Sequence, residues 1–117
     1  MSECIFCKIA SGEMPVPLVY EDEYVIAFDD ISPQAPVHTL VVPRAHYEHL
    51  GAGLDASTFA AVFSAVPRVA AIKGVDASGY RVIVNNGSDA NQTVPHLHVH
   101  VIGGAGMGHG MVTLVDQ

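Results

Sequence analysis

The sequence predicts an α+β domain in which a five-stranded antiparallel meander packs against one long and one short helix. Two observations support this fold class. Short segments rich in Val and Ile alternate with turn residues, which indicates strands. Residues 55–73 carry apolar side chains at helical spacing, which indicates a helix. Because 117 residues suffice for one hydrophobic core but not for two, we expect a single domain over residues 1–117.

The N-terminal half contains the short helix and three strands. "CIFCKIASG" predicts a helical turn ended by Gly12, and the prolines of "MPVP" predict extended chain after it. "LVYEDEYVIAFDD" predicts two strands that form a hairpin around an acidic turn at residues 21–23. "VHTLVVP", residues 37–43, predicts a third strand that ends at Pro43.

The C-terminal half contains the long helix and two more strands. Asp55 is the predicted N-cap and Gly74 follows the predicted end, while Pro67 should bend this helix without breaking it. "YRVIVNNG" predicts the fourth strand, and the polar loop "GSDANQTVP" leads into a fifth strand that carries three histidines. The last segment, "GMGHGMVTLVDQ", begins glycine-rich and ends in a strand-like apolar run.

Composition restricts the partners. A formal charge of -7 repels phosphate backbones and anionic membrane surfaces, so neither nucleic acid nor a membrane is expected as a partner. Half of the residues are hydrophobic and only 15% are charged, which predicts an apolar surface that meets a second copy of the chain. No secretory signal or membrane-length apolar run is visible, so a cytoplasmic location is expected.

Three histidines alternate with apolar residues in "HLHVHVI". Positions 96, 98 and 100 share one face of a strand, with the apolar residues between them facing the helix. Three hypotheses compete: a solvated outer face of the sheet, a three-histidine zinc site, and nucleophilic catalysis. The outer two positions lie about 13 Å apart on a strand, which disfavours one shared ion. Imidazole is largely unprotonated and nucleophilic at neutral pH, and a neighbouring imidazole can hold a proton for a leaving group.

Cys4 and Cys7 form a second pattern. A C-x-x-C pair closes a small disulfide loop, forms half of a metal site or acts as a redox pair; in a reducing compartment the last two are favoured.

These segments resemble the histidine triad family of nucleotide hydrolases and transferases. The H-x-H-x-H pattern followed by two apolar residues is similar to the signature of that family. "CIFCKIASGEMP", "VYEDEYVIAFDDISPQAPVHTLVVPRAH" and "YRVIVNNGSDANQTVPHLHVH" resemble its nucleotide-binding branch, the purine nucleoside phosphoramidases. The resemblance leaves only the C-terminal tail unmatched. It implies a homodimer whose two sheets join into one.

The resemblance also implies roles for single residues. His98 would attack the α-phosphorus and form a nucleotidyl-histidine, His100 would contact the phosphate and pass a proton to the leaving group, and His38 would complete the relay. A purine nucleoside monophosphate, free or as its phosphoramidate, is the implied ligand. The implied nucleotide-binding residues, besides His98 and His100, are Phe6, Met14, Phe28, Asp30, Ile31, Asn85, Thr93 and Val94.

Bacterial members with C-x-x-C near the start imply a structural zinc. The corresponding ligands here are Cys4, Cys7, His46 and His96, a Cys₂His₂ set typical of closed tetrahedral sites. This assigns His96 to the metal, and the chemical step itself requires no metal. His49 and His109 match no role and are expected to be solvated.

The chain departs from the family pattern at three places. Asn91 stands where glycine is usual, at a position expected to need positive φ, and Asn tolerates that conformation. Pro95 stands where an aromatic residue is usual. The C-terminal tail often carries tryptophan in the family but has none here. The resemblance therefore constrains the preference for a leaving group least.

Two other functions remain open. A dinucleoside polyphosphate hydrolase shares the triad but needs room for a second nucleoside, and a nucleotide-binding or zinc-binding regulatory module would show little turnover.

Overall fold

The computed structural model describes residues 4–110. They form the predicted α+β fold, with two α-helices and one five-stranded antiparallel sheet. The helices are α1 (Ile5–Ser11) and α2 (Ala56–Ile72), and a 3-10 turn spans Ser88–Ala90. The strands are β1 (Tyr20–Glu21), β2 (Val25–Asp29), β3 (Val37–Pro43), β4 (Tyr80–Val84) and β5 (Val99–Gly103). The strand-like run in 111–117 lies outside the described residues.

The strand order differs in one respect from a simple meander. Strands β1, β2 and β3 are consecutive neighbours, but β5 lies between β3 and β4. The long connection through α2 carries the chain from β3 to the far edge, where β4 forms. The last strand then fills the remaining gap and pairs with both neighbours. This places the histidine segment in the centre of the sheet.

The two faces of the sheet pack against different helices. On one face the apolar positions of α2 form a core with alternating residues of the central strands, which are Val41, Val99 and Val101. On the other face Phe6 and Ile9 of α1 pack against Phe28 and Leu40. Because side chains alternate along a strand, the histidines of β3 and β5 face α1 rather than α2.

The predicted signals at the helix ends are present. The Asp55 carboxylate accepts a hydrogen bond from the Thr58 backbone N–H at 2.9 Å, which caps the start of α2. This helix continues through Pro67, and the bend there stays a prediction. Gly12 ends α1 with φ of 84°, and Gly74 follows α2 with φ of 77°.

The histidine strand is shorter than predicted. Regular pairing begins at Val99, so only His100 lies within β5, and His96 and His98 precede it. The cause is a bend at Pro95, across which the His96 N–H donates to the Val94 carbonyl at 2.8 Å.

Among residues 4–110, no helix is long and apolar enough to cross a membrane.

Candidate active site

His38 and His100 form a buried, hydrogen-bonded pair. They lie on neighbouring strands, and the register places His38 diagonally across from His100. The Gln34 backbone N–H donates to Nδ1 of His38 at 3.0 Å, so the ring proton of neutral His38 lies on Nε2. That Nε2–H donates to Nδ1 of His100 at 2.9 Å. The proton of neutral His100 is therefore on its Nε2.

His98 has the opposite arrangement. Its Nδ1–H donates to the carbonyl of His96 at 2.8 Å, which leaves the lone pair on Nε2. The ring is packed edge-to-face against Phe6 at 5.2 Å and against His100 at 5.1 Å. His98 is therefore held in one orientation with an unprotonated nitrogen free to react.

Asp30 completes the group at the end of β2. Its backbone N–H donates to the His38 carbonyl, and its Oδ1 accepts from the Ser32 N–H at 2.8 Å. Its Oδ2 lies 3.5 Å from His38 Nε2, an electrostatic contact only, because that ring N–H already donates to His100. The carboxylate thus faces the histidine pair with one oxygen to spare.

Three buried side-chain nitrogen or oxygen atoms find no hydrogen-bond partner among residues 4–110. They are Asp30 Oδ2, His98 Nε2 and His100 Nε2. Orphaned buried polar atoms are costly and uncommon, so three in neighbouring side chains indicate a site built to receive a ligand. The set offers two acceptors and one donor to that ligand.

Burial also sets the charge of these rings. Desolvation lowers the pKa of His100 to about 3, with the neighbouring His98 and His38 adding to the effect. Desolvation likewise lowers the pKa of His98 and of His38, although the Asp30 carboxylate opposes it for His38. All three imidazoles are therefore neutral at neutral pH in the free protein.

An apolar pocket of about 330 Å³ lies between α1 and the sheet. This volume is in the range of small-molecule sites. Of the residues predicted to bind a nucleotide, Phe6, Phe28, Asp30, Ile31 and Val94 line it. The side chain of Ile31 is almost fully exposed at its edge, at 93%.

Sequence reasoning missed several lining residues, namely Ile5, Ile9, Val16, Pro17, Asp29 and Leu40. Two had a usable signal. Ile9 lies three positions after Phe6, which is the same face of a helix. Leu40 lies two positions after His38, which is the same face of a strand.

Besides His98 and His100, three predicted nucleotide-binding residues are not part of this lining within the described chain. Met14 is 37% exposed in the turn after α1. Asn85 is half-buried directly after β4, and Thr93 is exposed beside Val94 in the loop before His96. The loop itself agrees with one expectation, because Asn91 adopts φ of 62° and thereby confirms the predicted positive φ.

A second cluster joins the N-terminus to the sheet. The Sγ of Cys4 lies 3.3 Å from Nδ1 of His96, and the Sγ of Cys7 lies 3.3 Å from Nδ1 of His46. One ligand atom from each residue lies within 4.8 Å of all the others. The structure thus brings together the four predicted metal ligands, residues separated by up to 92 positions in the sequence.

The donor chemistry of this cluster fits a metal ion. Tetrahedral zinc, with Zn–S bonds of about 2.3 Å and Zn–N bonds of about 2.0 Å, separates sulfur from nitrogen by about 3.5 Å. The Cys7 Sγ to His96 Nδ1 distance is 3.6 Å. The Nε2–H of His96 donates to the Pro43 carbonyl at 2.9 Å, so the lone pair of Nδ1 points at the two sulfurs. Burial, and after it the neighbouring Cys4, raise the pKa of the Cys7 thiol, which a cation would reverse.

The remaining two histidines lie outside both groups. His109 is exposed, as expected. His49 is half-buried, and its Nδ1 accepts a hydrogen bond from the Gly51 N–H at 3.1 Å, so it stabilises a turn rather than being fully solvated.

Comparison with known proteins identifies similar chains. The family model described as HIT domain matches residues 11–107. An uncharacterised 13.2 kDa HIT-like protein of Azospirillum brasilense is 44% identical over 107 residues, which cover 89% of this chain and 88% of that protein.

Solved structures are similar across nearly the whole fold. A HIT family hydrolase from Clostridium thermocellum superposes with a TM-score of 0.89 at 41% identity, covering 96% of this chain and 99% of that one. A histidine triad nucleotide-binding protein from Candida albicans superposes with a TM-score of 0.81 at 30% identity, covering 96% and 86%.

Proposed function

Because this chain belongs to the HIT domain family, we propose that it is a nucleotide hydrolase or nucleotidyl transferase acting on purine nucleoside 5'-phosphoramidates or aminoacyl-adenylate-like compounds. Similar structures are named as HIT family hydrolases and as a histidine triad nucleotide-binding protein, which supports hydrolysis and nucleotide binding in general. The substrate class is our inference from the sequence resemblance, and the histidine nucleophile is our inference from the resemblance and the site together.

The observation that carries this proposal is the Nε2 atom of His98. It is buried, bears a lone pair because Nδ1–H donates to the His96 carbonyl, and has no partner among residues 4–110. Beside it, His100 presents an Nε2–H that is also without a partner in that range. A phosphorus electrophile with an oxygen for His100 would use both atoms at once.

In the first proposed step, His98 Nε2 bonds to the phosphorus and the P–N bond breaks. The departing nitrogen keeps the bonding electron pair and takes a proton from His100. Free His100 is neutral, but a bound phosphate anion raises the pKa of an adjacent imidazole by charge attraction, and Asp30 beside His38 acts in the same direction. When substrate is bound the pair therefore takes up one proton, which His38 holds on Nδ1 in place of the hydrogen bond from the Gln34 N–H. The shared Nε2–H of His38 passes to His100 as His100 gives up its own. The positive charge that His98 acquires is stabilised by the His96 carbonyl.

In the second proposed step, water attacks the phosphorus of the nucleotidyl-histidine. The water gives its proton to His100, the P–Nε2 bond breaks, and the electron pair returns to His98. The pair thereby regains the proton that it gave to the leaving nitrogen, and it returns to its neutral state when the nucleoside monophosphate leaves. Every proton in this scheme moves through residues of this chain, and no metal takes part.

We propose that the apolar pocket receives the purine and Asp30 receives the ribose. Phe6 and Phe28 form an edge-to-face pair at 5.6 Å that offers an aromatic wall to a base. Oδ2 of Asp30, which has no partner in the described chain, can accept a hydrogen bond from a ribose hydroxyl. We assign Met14, Asn85 and Thr93 to the ligand as well, on the resemblance alone, since they lie outside the pocket lining.

We propose that Cys4, Cys7, His46 and His96 hold a structural zinc. A closed Cys₂His₂ set supplies no open coordination position, so the ion would stabilise the fold rather than act on substrate. Its role would be to fix α1, which carries Phe6, against the segment that carries His98.

We propose that the chain forms a homodimer through its exposed apolar side chains. Phe59 and Ile72 on α2 are 50% and 56% exposed, and Val82 on the edge strand β4 is 40% exposed. Analytical ultracentrifugation should give twice the chain mass, and a monomer at micromolar concentration would contradict this part.

The proposed activity is tested with adenosine 5'-phosphoramidate. We expect release of adenosine monophosphate and ammonia, and no turnover by His98→Ala despite retained affinity for the monophosphate. His109→Ala is the matched control, because it removes an exposed histidine, and it should retain full activity.

Two outcomes would contradict the proposal. An undiminished rate in His98→Ala would exclude His98 as the nucleophile. Faster cleavage of a dinucleoside polyphosphate than of the phosphoramidate would favour the alternative substrate class.

A further inference from the structure

We propose that Gln92 is a positioning residue that fixes the loop before the triad and, through it, the orientation of His98. This inference rests on the proposed function. The Gln92 side chain bonds only to backbone groups in the described chain: Nε2 donates to the Glu48 carbonyl at 2.7 Å and to the Val94 carbonyl at 3.1 Å. Its Oε1 accepts from the Gly87 N–H at 2.9 Å. Both donor hydrogens and the acceptor oxygen of the amide are therefore engaged.

The loop from residue 87 to residue 94 depends on this side chain for its shape. Its regular structure is limited to the 3-10 turn at Ser88–Ala90. Gln92 and Gly87 are bonded twice, since the Gln92 N–H also donates to the Gly87 carbonyl at 3.1 Å. Gly87 adopts φ of 91°, a conformation open to glycine but costly for other residues. The side chain of Gln92 thus closes the loop by holding the backbone of Gly87, a residue type with wide conformational freedom.

A short series of hydrogen bonds leads from Gln92 to the ring of His98. The Val94 carbonyl that accepts from Gln92 also accepts from the His96 N–H at 2.8 Å. The His96 carbonyl in turn accepts from Nδ1 of His98 at 2.8 Å. A shift of the Val94 peptide therefore moves the carbonyl that orients His98.

The bond to the Glu48 carbonyl joins this loop to a second segment. Residues 47–50 also contact the chain on both sides of the loop. After the loop, the Leu97 N–H donates to the Tyr47 carbonyl at 2.6 Å. Asn86 Oδ1 accepts from the Leu50 N–H at 2.9 Å. The segment follows His46 of the Cys/His cluster, so Gln92 lies where the chain leaving that cluster contacts the loop leading to His98.

Glutamine is the residue that this position requires. A glutamate of the same size keeps the acceptor for Gly87 but presents carboxylate oxygen to the carbonyls of Glu48 and Val94. An alanine loses all three bonds. The two substitutions therefore disturb the loop in different ways and should impair the same step.

The experiment compares Gln92→Ala and Gln92→Glu with wild type and with Ser88→Ala, an exposed neutral change in the same loop. We measure kcat and KM for adenosine 5'-phosphoramidate, and the affinities for adenosine and for adenosine monophosphate by titration calorimetry. Both Gln92 variants should lose about 10- to 100-fold in kcat with KM within about threefold, because a displaced reacting group costs rate rather than base binding. The preference for the monophosphate over adenosine should fall, and Ser88→Ala should match wild type. If Gln92→Ala does not fold, Gln92→Glu alone decides.

Unchanged kcat in the folded variants, with only a lower melting temperature, would overturn the proposal and leave Gln92 a structural residue. Equal weakening of adenosine and its monophosphate would also overturn it, since the effect would then belong to the base pocket. If wild type neither cleaves the phosphoramidate nor distinguishes the two ligands, the proposed function fails first, and that failure is visible without any Gln92 variant.

Discussion

His38 donates a hydrogen bond from Nε2 to Nδ1 of His100 across 2.9 Å, with both rings buried. Because the Gln34 N–H occupies the other nitrogen of His38, this bond fixes the neutral tautomers of both rings. It leaves the proton of His100 on the nitrogen that faces the site. An additional proton on the pair would therefore occupy Nδ1 of His38 and displace the hydrogen bond from the Gln34 N–H.

The first prediction concerns His38. In His38→Ala, His100 loses the imidazole that supplies its proton, so kcat should fall by about 100- to 10,000-fold, the usual range for general acid–base catalysis. KM should stay within about threefold, because His38 does not line the apolar pocket. Steady-state kinetics beside His109→Ala measures both. A rise in KM with unchanged kcat would show that His38 serves binding instead.

The second prediction concerns Asp30 and the sugar. Asp30→Ala removes the spare carboxylate oxygen, and a charged hydrogen bond of this kind contributes about 1.5–3 kcal/mol, or roughly 10- to 100-fold in affinity. Wild type should bind adenosine monophosphate more tightly than its 2'-deoxy or 3'-deoxy analogue, and the variant should bind all three alike. A variant that keeps the wild-type preference would remove Asp30 from the ribose site.

The third prediction concerns metal removal. We expect one zinc per chain, measured by elemental analysis of protein purified without chelator. Stripping it, or making Cys7→Ser, should lower the melting temperature and weaken adenosine binding, because α1 carries Ile5, Phe6 and Ile9 of the pocket. Glu13→Gln, a change at an exposed position just after the same helix, should affect neither. Absence of zinc in carefully purified protein would refute the assignment.

The fourth prediction concerns stability at low pH. Burial lowers the pKa of His100 to about 3 in the folded protein from the ordinary histidine value of 6.5, so between these pH values the unfolded chain binds a proton that the folded chain does not. The free energy of unfolding should therefore fall as pH drops from 6.5 towards 3, by up to about 1.4 kcal/mol per pH unit for this group. In His100→Asn the slope should be shallower by that amount. Denaturant-induced unfolding at several pH values measures this slope in both proteins. Equal slopes would contradict the burial of a neutral His100.

Much of the fold could be predicted because local signals agree with it. The cap at Asp55 and the end of α1 at Gly12 follow from residue type and position, whereas the positive φ at Asn91 follows from the resemblance, since the family usually has glycine there. Strand order did not follow, because nothing local states that β5 enters between β3 and β4. The length of the histidine strand was overestimated because the bend at Pro95 outweighs the alternating pattern before Val99.

The site could be predicted as side chains but not as a hydrogen-bond network. The family resemblance selected the residues of both clusters. The backbone groups that set the ring orientations were not predictable, because the Gln34 N–H and the carbonyls of Pro43 and His96 depend on tertiary register. The protonation of each imidazole follows from those contacts and became visible only in the structure.

The most direct measurement is the intact mass of the protein quenched within milliseconds of mixing with excess adenosine 5'-phosphoramidate. The account predicts a transient species heavier by one adenylyl group, bound to residue 98 after proteolytic mapping and missing in His98→Ala. Turnover that proceeds without any such species, or an adduct on a different side chain, would contradict it.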